Sequence, residues 1–227
     1  MKATIIENIE VTIDLESMCK MMRVKKGSSN EKLLREIISE ALDVARPRAL
    51  CGQAYIDEKR EESVVIDGIE FTSSVLRVNL ESCERVFPFI ATCGSELEEW
   101  SCTFSDMLEQ YWADTIKAIA MGAGMNAVNN HVRDKWIQGK VSSICPGSLE
   151  DWPITQQKEL FSLFGDTEKL IGVTLTESCL MLPVKSLSGI IFPSAADFTT
   201  CQLCDRERCP GRRAPFDSEL RKKKFSL

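Results

Sequence analysis

The sequence predicts a single α+β domain followed by a short tail. Apolar residues recur every three or four positions in residues 30–45 and 106–136, which indicates two amphipathic helices. Between residues 54 and 93, short apolar runs alternate with turn residues, a pattern typical of strands. Because no internal repeat and no long linker divides the chain, we expect one domain over residues 1–196 and a tail over residues 197–227.

The N-terminal region predicts one strand and two helices. Residues 3–14 alternate loosely between apolar and polar, which indicates a half-buried strand, and residues 15–26 favour a short helix. Asn30 is expected to cap the next helix, whose early glutamates suit the positive end of the helix dipole. Pro47 is expected to end that helix.

The following region has the composition of a sheet. Strand-like runs lie at residues 54–56, 63–66, 69–71 and 75–80. Asp67 and Gly68 separate two of these runs and predict a tight hairpin. The apolar residues 86–93 predict a buried strand.

The long helix predicted over residues 106–136 contains two glycines. A capping box of Ser95 and Glu98 is expected to open the helical region that precedes it. Gly122 and Gly124 each cost about 1 kcal/mol in a helix interior. Their place on a face of small residues therefore indicates that another backbone, or a ligand, comes close to the helix.

Residues 141–192 form the most distinctive part of the sequence. They predict a Pro-Gly loop, a turn at Asp151-Trp152-Pro153, one amphipathic helix and two apolar strands. The strand region contains LTES and KSLSG, which are rich in small and hydroxyl residues where a core strand would be apolar throughout. Such residues indicate a close backbone approach or a ligand.

Composition excludes several classes of function. The net charge of −6 and the pI near 5.1 argue against nucleic acid as a partner, because phosphate binding needs a cationic face. No uncharged run reaches the roughly 18 residues of a membrane helix. The N-terminal apolar run contains acidic residues and has no cleavage site for secretion, so we expect a cytoplasmic protein.

Familiar enzyme motifs are missing from the sequence. Gly122-x-Gly124 lies inside a helix, whereas a dinucleotide-binding loop joins a strand to a helix. A hydrolytic triad would need His131, the single histidine, which we expect at the surface rather than as a ligand or general base. We therefore predict no catalytic residue.

The tail contains a cysteine motif with the spacing of a metal site. Cys201, Cys204 and Cys209 follow the pattern Cys-x2-Cys-x4-Cys, and thiolates are ligands for zinc or an iron–sulfur cluster. Neighbouring arginines would lower the thiol pKa values. A fourth ligand could come from Cys145, from Cys179 or from an exchangeable group. Free or redox-active thiols are the alternative, and the basic C-terminal end could contact an acidic partner.

The sequence from Val86 to Phe192 resembles the activation (reactivation) domain of cobalamin-dependent methionine synthase, in its short stand-alone form. The matching motifs are ATCGSELE at residues 91–98, CPG at 145–147, DWP at 151–153, QQKELF at 156–161, IGVTLTES at 171–178 and LPVKSLSG at 182–189. The LTES to SG block is specific to this family. Stand-alone relatives also tend to carry a cysteine-rich C-terminal tail.

This resemblance implies a C-shaped α+β domain with a twisted antiparallel sheet and flanking helices. In the family, the domain binds S-adenosylmethionine and presents its methyl group to a cobalamin in the inactive Co(II) state. An external reductant supplies the electron, and the cobalamin belongs to the partner, methionine synthase or another corrinoid protein. This activity requires no acid–base residue in the activation domain itself.

The loop differs from the family pattern at two positions. The family commonly has Arg-x-x-Pro-Gly-Tyr there, whereas this chain has Ser143 and Ser148 in place of the arginine and the tyrosine. Pro146 and Gly147 are the contacts to S-adenosylmethionine that the resemblance implies. Two alternatives follow from the difference. The chain could use the tail cluster for electron transfer to a corrinoid protein without S-adenosylmethionine, or act as a docking module alone.

Overall fold

The structure is a computed structural model that describes residues 1–194, 200–208, 212 and 214–225. Its centre is a seven-stranded sheet with the strand order β4-β3-β2-β5-β9-β6, in which β1 also pairs with β2. The strands are β1 (Lys2–Ile6), β2 (Arg48–Lys59), β3 (Ser63–Ile66), β4 (Ile69–Thr72), β5 (Arg85–Thr92), β6 (Val141–Ile144) and β9 (Ser186–Pro193). A separate hairpin consists of β7 (Thr174–Leu175) and β8 (Met181–Leu182).

Helices flank this sheet, and every strand pair in it is antiparallel. The helices are α1 (Leu15–Met22), α2 (Ser29–Val44), α3 (Ser74–Asn79), α4 (Ser95–Ser101), α5 (Met107–Lys135), α6 (Gln157–Ser162), α7 (Thr167–Ile171) and α8 (Ser218–Phe225). Short 3-10 helices lie at Ile154–Gln156 and Thr200–Gln202. The predicted α+β class, with an antiparallel sheet between helices, is confirmed. Among the described residues, no helix combines the length and apolarity needed to cross a bilayer.

Side chains alternate between the two faces of the sheet along its strands. Both faces are buried. On one face, Phe89 and Ala91 pack against Val128 and Val132 of α5. On the other face, a larger cluster includes Leu50, Ile90 and Ile190 of the sheet together with Trp152, Leu160 and Ile171. A third cluster joins α2 to α4 and α5. Burying a side chain of this size contributes about 1.5–3 kcal/mol, so the sheet is held from both sides.

The long helix α5 lies directly on the sheet at Gly124. A Cβ atom on Gly124 would lie 3.5 Å from the Cβ of Ala91 and 3.6 Å from the carbonyl oxygen of Arg48. The predicted close approach is confirmed at this glycine, and the approaching group is the sheet. Gly122 differs, since a Cβ there would have no neighbour within 4 Å.

The prediction of a strand at residues 75–80 is wrong, because this segment forms the helix α3. Ser73 caps the helix, and its Oγ accepts a hydrogen bond from the N–H of Leu76 at 3.0 Å. Asp151 adds a second cap by accepting from the N–H of Val75 at 2.9 Å. The β-branched residues suggested a strand, but a cap supplied from a distant part of the chain favours the helix.

Several predicted boundaries also need correction. The first strand ends at Ile6, so residues 7–14 are outside it, and β2 begins at Arg48 and runs for 12 residues. The N-cap of α2 is Ser28 rather than Asn30, and its side chain accepts from the N–H of Glu31. β2 pairs with β1 and with β5, and this pairing extends the strand. The composition of the segment does not reveal this extension.

The capping box predicted at Ser95 and Glu98 is wrong. Gly94 is the N-cap of α4, and no side chain caps this helix. Gly94 has φ +92°, and a Cβ at this position would lie 2.4 Å from the carbonyl oxygen of Arg46. The chain therefore turns tightly past Arg46 at a glycine, and Ser95 is already the first residue of the helix.

His131 is half-buried near the end of α5, whereas the sequence placed it at the surface. Its ring meets the ring of Trp136 edge-on at 5.1 Å, and Trp136 stacks on Phe87 at 5.1 Å. Its Nε2 atom has no hydrogen-bond partner within the described ranges. Burial lowers the pKa of His131, and the imidazole packs against aromatic side chains.

Replacing the two glycines of α5 is expected to have opposite effects. Gly122→Ala should stabilise the protein by about 0.5–1 kcal/mol, because alanine favours the helix and the position faces open space. Gly124→Leu should destabilise it by about 1–3 kcal/mol, because the new side chain would overlap the sheet. Urea unfolding followed by circular dichroism measures both. Equal effects at the two positions would contradict the packing of α5 described above.

Candidate ligand-binding site

The Pro-Gly loop predicted from the sequence is a tight turn at the end of the edge strand β6. Pro146 is buried and Gly147 is exposed with φ +76°. The N–H of Gly147 donates to the carbonyl oxygen of Trp152 at 2.7 Å, and the N–H of Ser148 donates to that of Cys145 at 3.1 Å. These bonds give the backbone of the turn a defined shape.

The side chain of Ile154 covers one side of this turn. A Cβ on Gly147 would lie 2.9 Å from Cδ1 of Ile154. Both the positive φ and this contact favour glycine. The Pro-Gly pair is therefore explained by the conformation of the turn, and its role in ligand binding stays a prediction.

The Asp-Trp-Pro motif anchors the turn to the other end of the sheet. Trp152 is fully buried, and its Nε1 donates to Oε1 of Gln156 at 3.0 Å. The amide of Gln156 also accepts from the N–H of Thr72 and donates to its carbonyl oxygen, both at 3.0 Å. Asp151 accepts from the hydroxyl of Ser73. The motif thus joins the turn to β4 and to the start of α3.

Gly189 in β9 allows β6 and the turn to approach closely. A Cβ on Gly189 would lie 2.5 Å from the carbonyl oxygen of Ile144, 2.9 Å from Sγ of Cys145 and 3.1 Å from Phe89. Only glycine fits this position without displacing backbone. The SG motif therefore determines where the turn lies, as its small residues predicted.

Ser188 and Gln157 form a buried polar contact beside Gly189. Nε2 of Gln157 donates to Oγ of Ser188 at 2.9 Å, and both side chains are almost completely buried. Within the described ranges, Oε1 of Gln157 has no hydrogen-bond partner. Sequence reasoning did not single out Gln157, although it belongs to the QQKELF motif. This contact joins that motif to the KSLSG strand.

The LTES residues close the hairpin of β7 and β8, and β9 follows this hairpin as the apolar strand that enters the main sheet. The N–H of Thr176 donates to the carbonyl oxygen of Leu180 at 2.9 Å, and the hydroxyl oxygen of Thr176 accepts from the N–H of Leu180 at 3.0 Å. Cys179 occupies the left-handed region with φ +63°. The hydroxyl residues therefore build a turn, because they satisfy backbone groups that a strand would pair.

Lys185 connects this hairpin to α5. Its Nζ atom lies 2.8 Å from a carboxylate oxygen of Asp114. Lys117, which is buried, lies 3.2 Å from Glu98 and 3.9 Å from Asp114. Two cations and two carboxylates thus alternate between the hairpin, α5 and α4. Sequence reasoning missed this network, because its members are far apart in the chain.

A cavity of about 370 Å³ lies between the turn and the tail. It is lined by residues 148–151, by residues 203–205 and by Arg221. Arg221 forms an ion pair with Asp205, and this contact lowers the pKa of the Asp205 carboxyl. The lining also includes Glu150 and the thiol-bearing Cys204. The cavity therefore offers both signs of charge next to the Pro-Gly turn.

The tail packs against the domain through Leu203. This side chain is 1% exposed and belongs to the same core cluster as Leu149 and Trp152. Cys201 and Cys204 lie beside it, both half-buried. Cys209 is outside the described residues. Within the described ranges no three His, Cys, Asp or Glu side chains are grouped for a metal ion, so the predicted three-cysteine site stays untested.

Comparison with known proteins confirms the resemblance. A sequence model of the activation domain of vitamin B12 dependent methionine synthase matches residues 145–209. The crystal structure of the MetH reactivation domain bound to AdoHcy has a similar fold, with a TM-score of 0.59 and 14% sequence identity. That similarity covers 88% of this chain and 81% of the MetH chain. A search of curated protein sequences found no match.

Gly189→Ala is expected to destabilise the protein by at least about 1–3 kcal/mol, because the new methyl group would collide with the Ile144 carbonyl. Urea unfolding measures the loss. Gly122→Ala is the matched control, since it makes the same change where a Cβ meets nothing. A Gly189→Ala protein as stable as the wild type would contradict the close approach of β6 and β9.

Proposed function

We propose that this chain reactivates the cobalamin of methionine synthase or of a related corrinoid methyltransferase, by binding S-adenosylmethionine and docking on the corrinoid domain. The observation that carries this proposal is the match of residues 145–209 to the activation domain family. The matched segment contains Pro146 and Gly147. The solved domain of similar fold is described as bound to AdoHcy, which is S-adenosylmethionine without its methyl group.

The cavity beside the turn supports the ligand part of the proposal. Its volume of about 370 Å³ lies at the lower end of the range of about 300–1,000 Å³ for small-molecule pockets. S-adenosylmethionine carries a sulfonium, an ammonium and a carboxylate. Glu150 and Asp205 can attract the cationic groups, and Arg221 can attract the carboxylate. The lining therefore matches the mixed charge of the ligand.

The residues of this chain would hold the ligand and take no proton from it. The exposed Gly147 has no side chain that would separate the turn from a ligand, and Ser143 and Ser148 supply hydroxyls where the family has arginine and tyrosine. The cobalamin of the partner, reduced by one electron from an external reductant, would supply the electron pair of the new cobalt–methyl bond, and the electron pair of the broken sulfur–methyl bond would stay on sulfur. We assign the chain the roles of positioning and docking.

The β7–β8 hairpin is the docking surface that we propose. Leu180, Leu182 and Val184 are 48%, 42% and 47% exposed, and they lie within five residues of one another. Lys185 anchors the base of the hairpin to α5 through Asp114. Exposed apolar side chains match the methyl-rich edge of a corrin ring and the apolar surface around it, because water is released when the two meet.

A second candidate function uses the tail. A zinc or iron–sulfur site at Cys201, Cys204 and Cys209 would allow docking or electron transfer to a corrinoid protein without S-adenosylmethionine. The observation that favours this candidate is that Cys204 lines the cavity beside the turn. In this case residues 197–227 would act as a functional tail on the domain of residues 1–196.

Isothermal titration of S-adenosylmethionine into the full chain should give saturable binding. Ser143→Arg should tighten binding by about tenfold, since it restores a charge-assisted contact at the family's arginine position. Ser162→Arg, which adds the same charge at an exposed position of α6, should leave the affinity unchanged. The absence of any heat of binding at millimolar ligand would overturn the ligand part of the proposal.

Reactivation of a Co(II) corrinoid protein should depend on the chain, on S-adenosylmethionine and on a reductant. The partner to test is a methionine synthase that lacks its own activation domain. Leu182→Asp should raise the chain concentration that gives half-maximal reactivation by at least about tenfold, because a charge in an apolar contact is costly. Met21→Asp, at a side chain that is 60% exposed on α1, is the control. If the two variants are equally active, the hairpin is not part of the docking surface.

A further inference from the structure

We propose that the cleft between α1 and the start of α2 binds a free α-amino acid with an apolar side chain. The cleft is a cavity of about 540 Å³, a volume within the range of about 300–1,000 Å³ for small-molecule pockets. It shares no lining residue with the cavity beside the Pro-Gly turn. The inference therefore goes beyond the proposed function and does not depend on it.

The floor of the cleft is apolar. Leu15 and Cys19 lie one turn apart on α1, so they are on the same face of the helix, and Val24 follows the end of the helix. All three side chains are half-buried and pack against the cluster that joins α2 to α4 and α5. Burial, together with the carboxylate of Glu31, raises the pKa of the Cys19 thiol, which keeps it uncharged. An aliphatic side chain of a ligand can therefore be buried on this floor.

The protein itself holds the cleft in shape. Met18, which lies next to the floor on α1, is 1% exposed and packs in the same cluster as α2. The N–H of Val24 donates to the carbonyl oxygen of Cys19 at 2.8 Å, which closes the end of α1. The N–H of Gly27 donates to the carboxylate of Glu31 and so joins the loop to α2. The cleft is therefore formed before any ligand binds.

Two of the acidic side chains that line the cleft are used by these structural contacts. Asp14 caps α1, and its carboxylate accepts from the N–H of Ser17 at 2.8 Å. One carboxylate oxygen of Glu31 accepts from Gly27, and the other lies 3.5 Å from Nη2 of Arg35. These two carboxylates therefore support the cleft itself.

Two lysines and one glutamate of the rim remain available to a ligand. Lys20, Lys26 and Glu16 are exposed. No ion pair joins any of the three to another side chain in the part of the chain that the structure describes. The lysines can bind the carboxylate of an α-amino acid while Glu16 binds its ammonium group. A fatty acid would leave Glu16 without a partner, and an alkylamine would leave both lysines without one, so the charges favour the zwitterion.

The first test is titration of L-norleucine into the reduced full chain, with alkylation of the thiols as a second readout. We expect saturable binding, and the bound ligand should suppress the alkylation of Cys19, because this thiol belongs to the floor of the cleft. Mass spectrometry of the peptides measures each cysteine separately. The exposed Cys102, which does not line the cleft, is the internal control and should react equally fast with and without ligand.

The second test removes one charge at a time. N-acetyl-norleucine lacks the ammonium and norleucine amide lacks the carboxylate, and each should bind about two- to fivefold more weakly, the usual effect of losing an exposed ion pair. Lys20→Met and Lys26→Met should each weaken the binding of norleucine by a similar factor. Lys32→Met, at an exposed position of α2 outside the cleft, should leave the affinity unchanged.

Glu16→Gln separates a contact with the ligand from a structural effect. This variant should bind norleucine more weakly than the wild type does, because its side chain no longer attracts the ammonium. It should bind N-acetyl-norleucine as tightly as the wild type does, because that compound has no ammonium. A structural defect would weaken the binding of both compounds equally.

Two results would overturn the inference. If norleucine gives no heat of binding at millimolar concentration, or binds without slowing the alkylation of Cys19, the cleft is not a site for an amino acid. If the N-acetyl and amide compounds bind as tightly as norleucine, the charged rim does not select the zwitterion. Both measurements are made without S-adenosylmethionine or a partner, so they are interpretable whatever the outcome of the titration and reactivation experiments above.

Discussion

The position of the candidate site depends on the contact between Gly189 and the end of β6. Because glycine has no side chain, the carbonyl of Ile144 and the thiol of Cys145 can lie against β9. This contact sets where the edge strand stops and where the Pro-Gly turn begins. The turn is then held from its other end by Trp152 and Asp151, which reach β4 and α3. A motif of small residues therefore acts through geometry rather than through chemistry of its own.

Polar residues in the core of this protein hold motifs together. Gln157 bonds to Ser188 inside the core, and Oγ of Ser186 lies within hydrogen-bonding distance of Thr92 and of the Pro183 carbonyl. Each buried polar group needs such a partner, since leaving one unsatisfied costs about 1–3 kcal/mol. The hydroxyl residues that make the LTES to SG region unusual for a core strand are thus used for turns and for contacts between elements.

The tail is closely joined to the domain. Leu203 enters the main core, and the residues around it form one wall of the cavity beside the turn. Ser148 of the loop lines this cavity, and the tail brings Arg221 and Asp205 to it. Residues of the loop and of the tail therefore line the same cavity.

Local patterns in the sequence were sufficient for the α+β class, the helices α2 and α5, the hairpin at Asp67 and the family motifs. These features depend on periodicity, turn residues and short motifs, which neighbouring residues determine. Only the tertiary structure decided that residues 75–80 form a helix, that β2 begins at Arg48, and that Gln156, Gln157 and Lys185 meet their partners. Some of these features depend on contacts between residues that are distant in the chain. Others depend on backbone carbonyls that a side chain contacts only after folding. No local sequence pattern encodes either kind of contact.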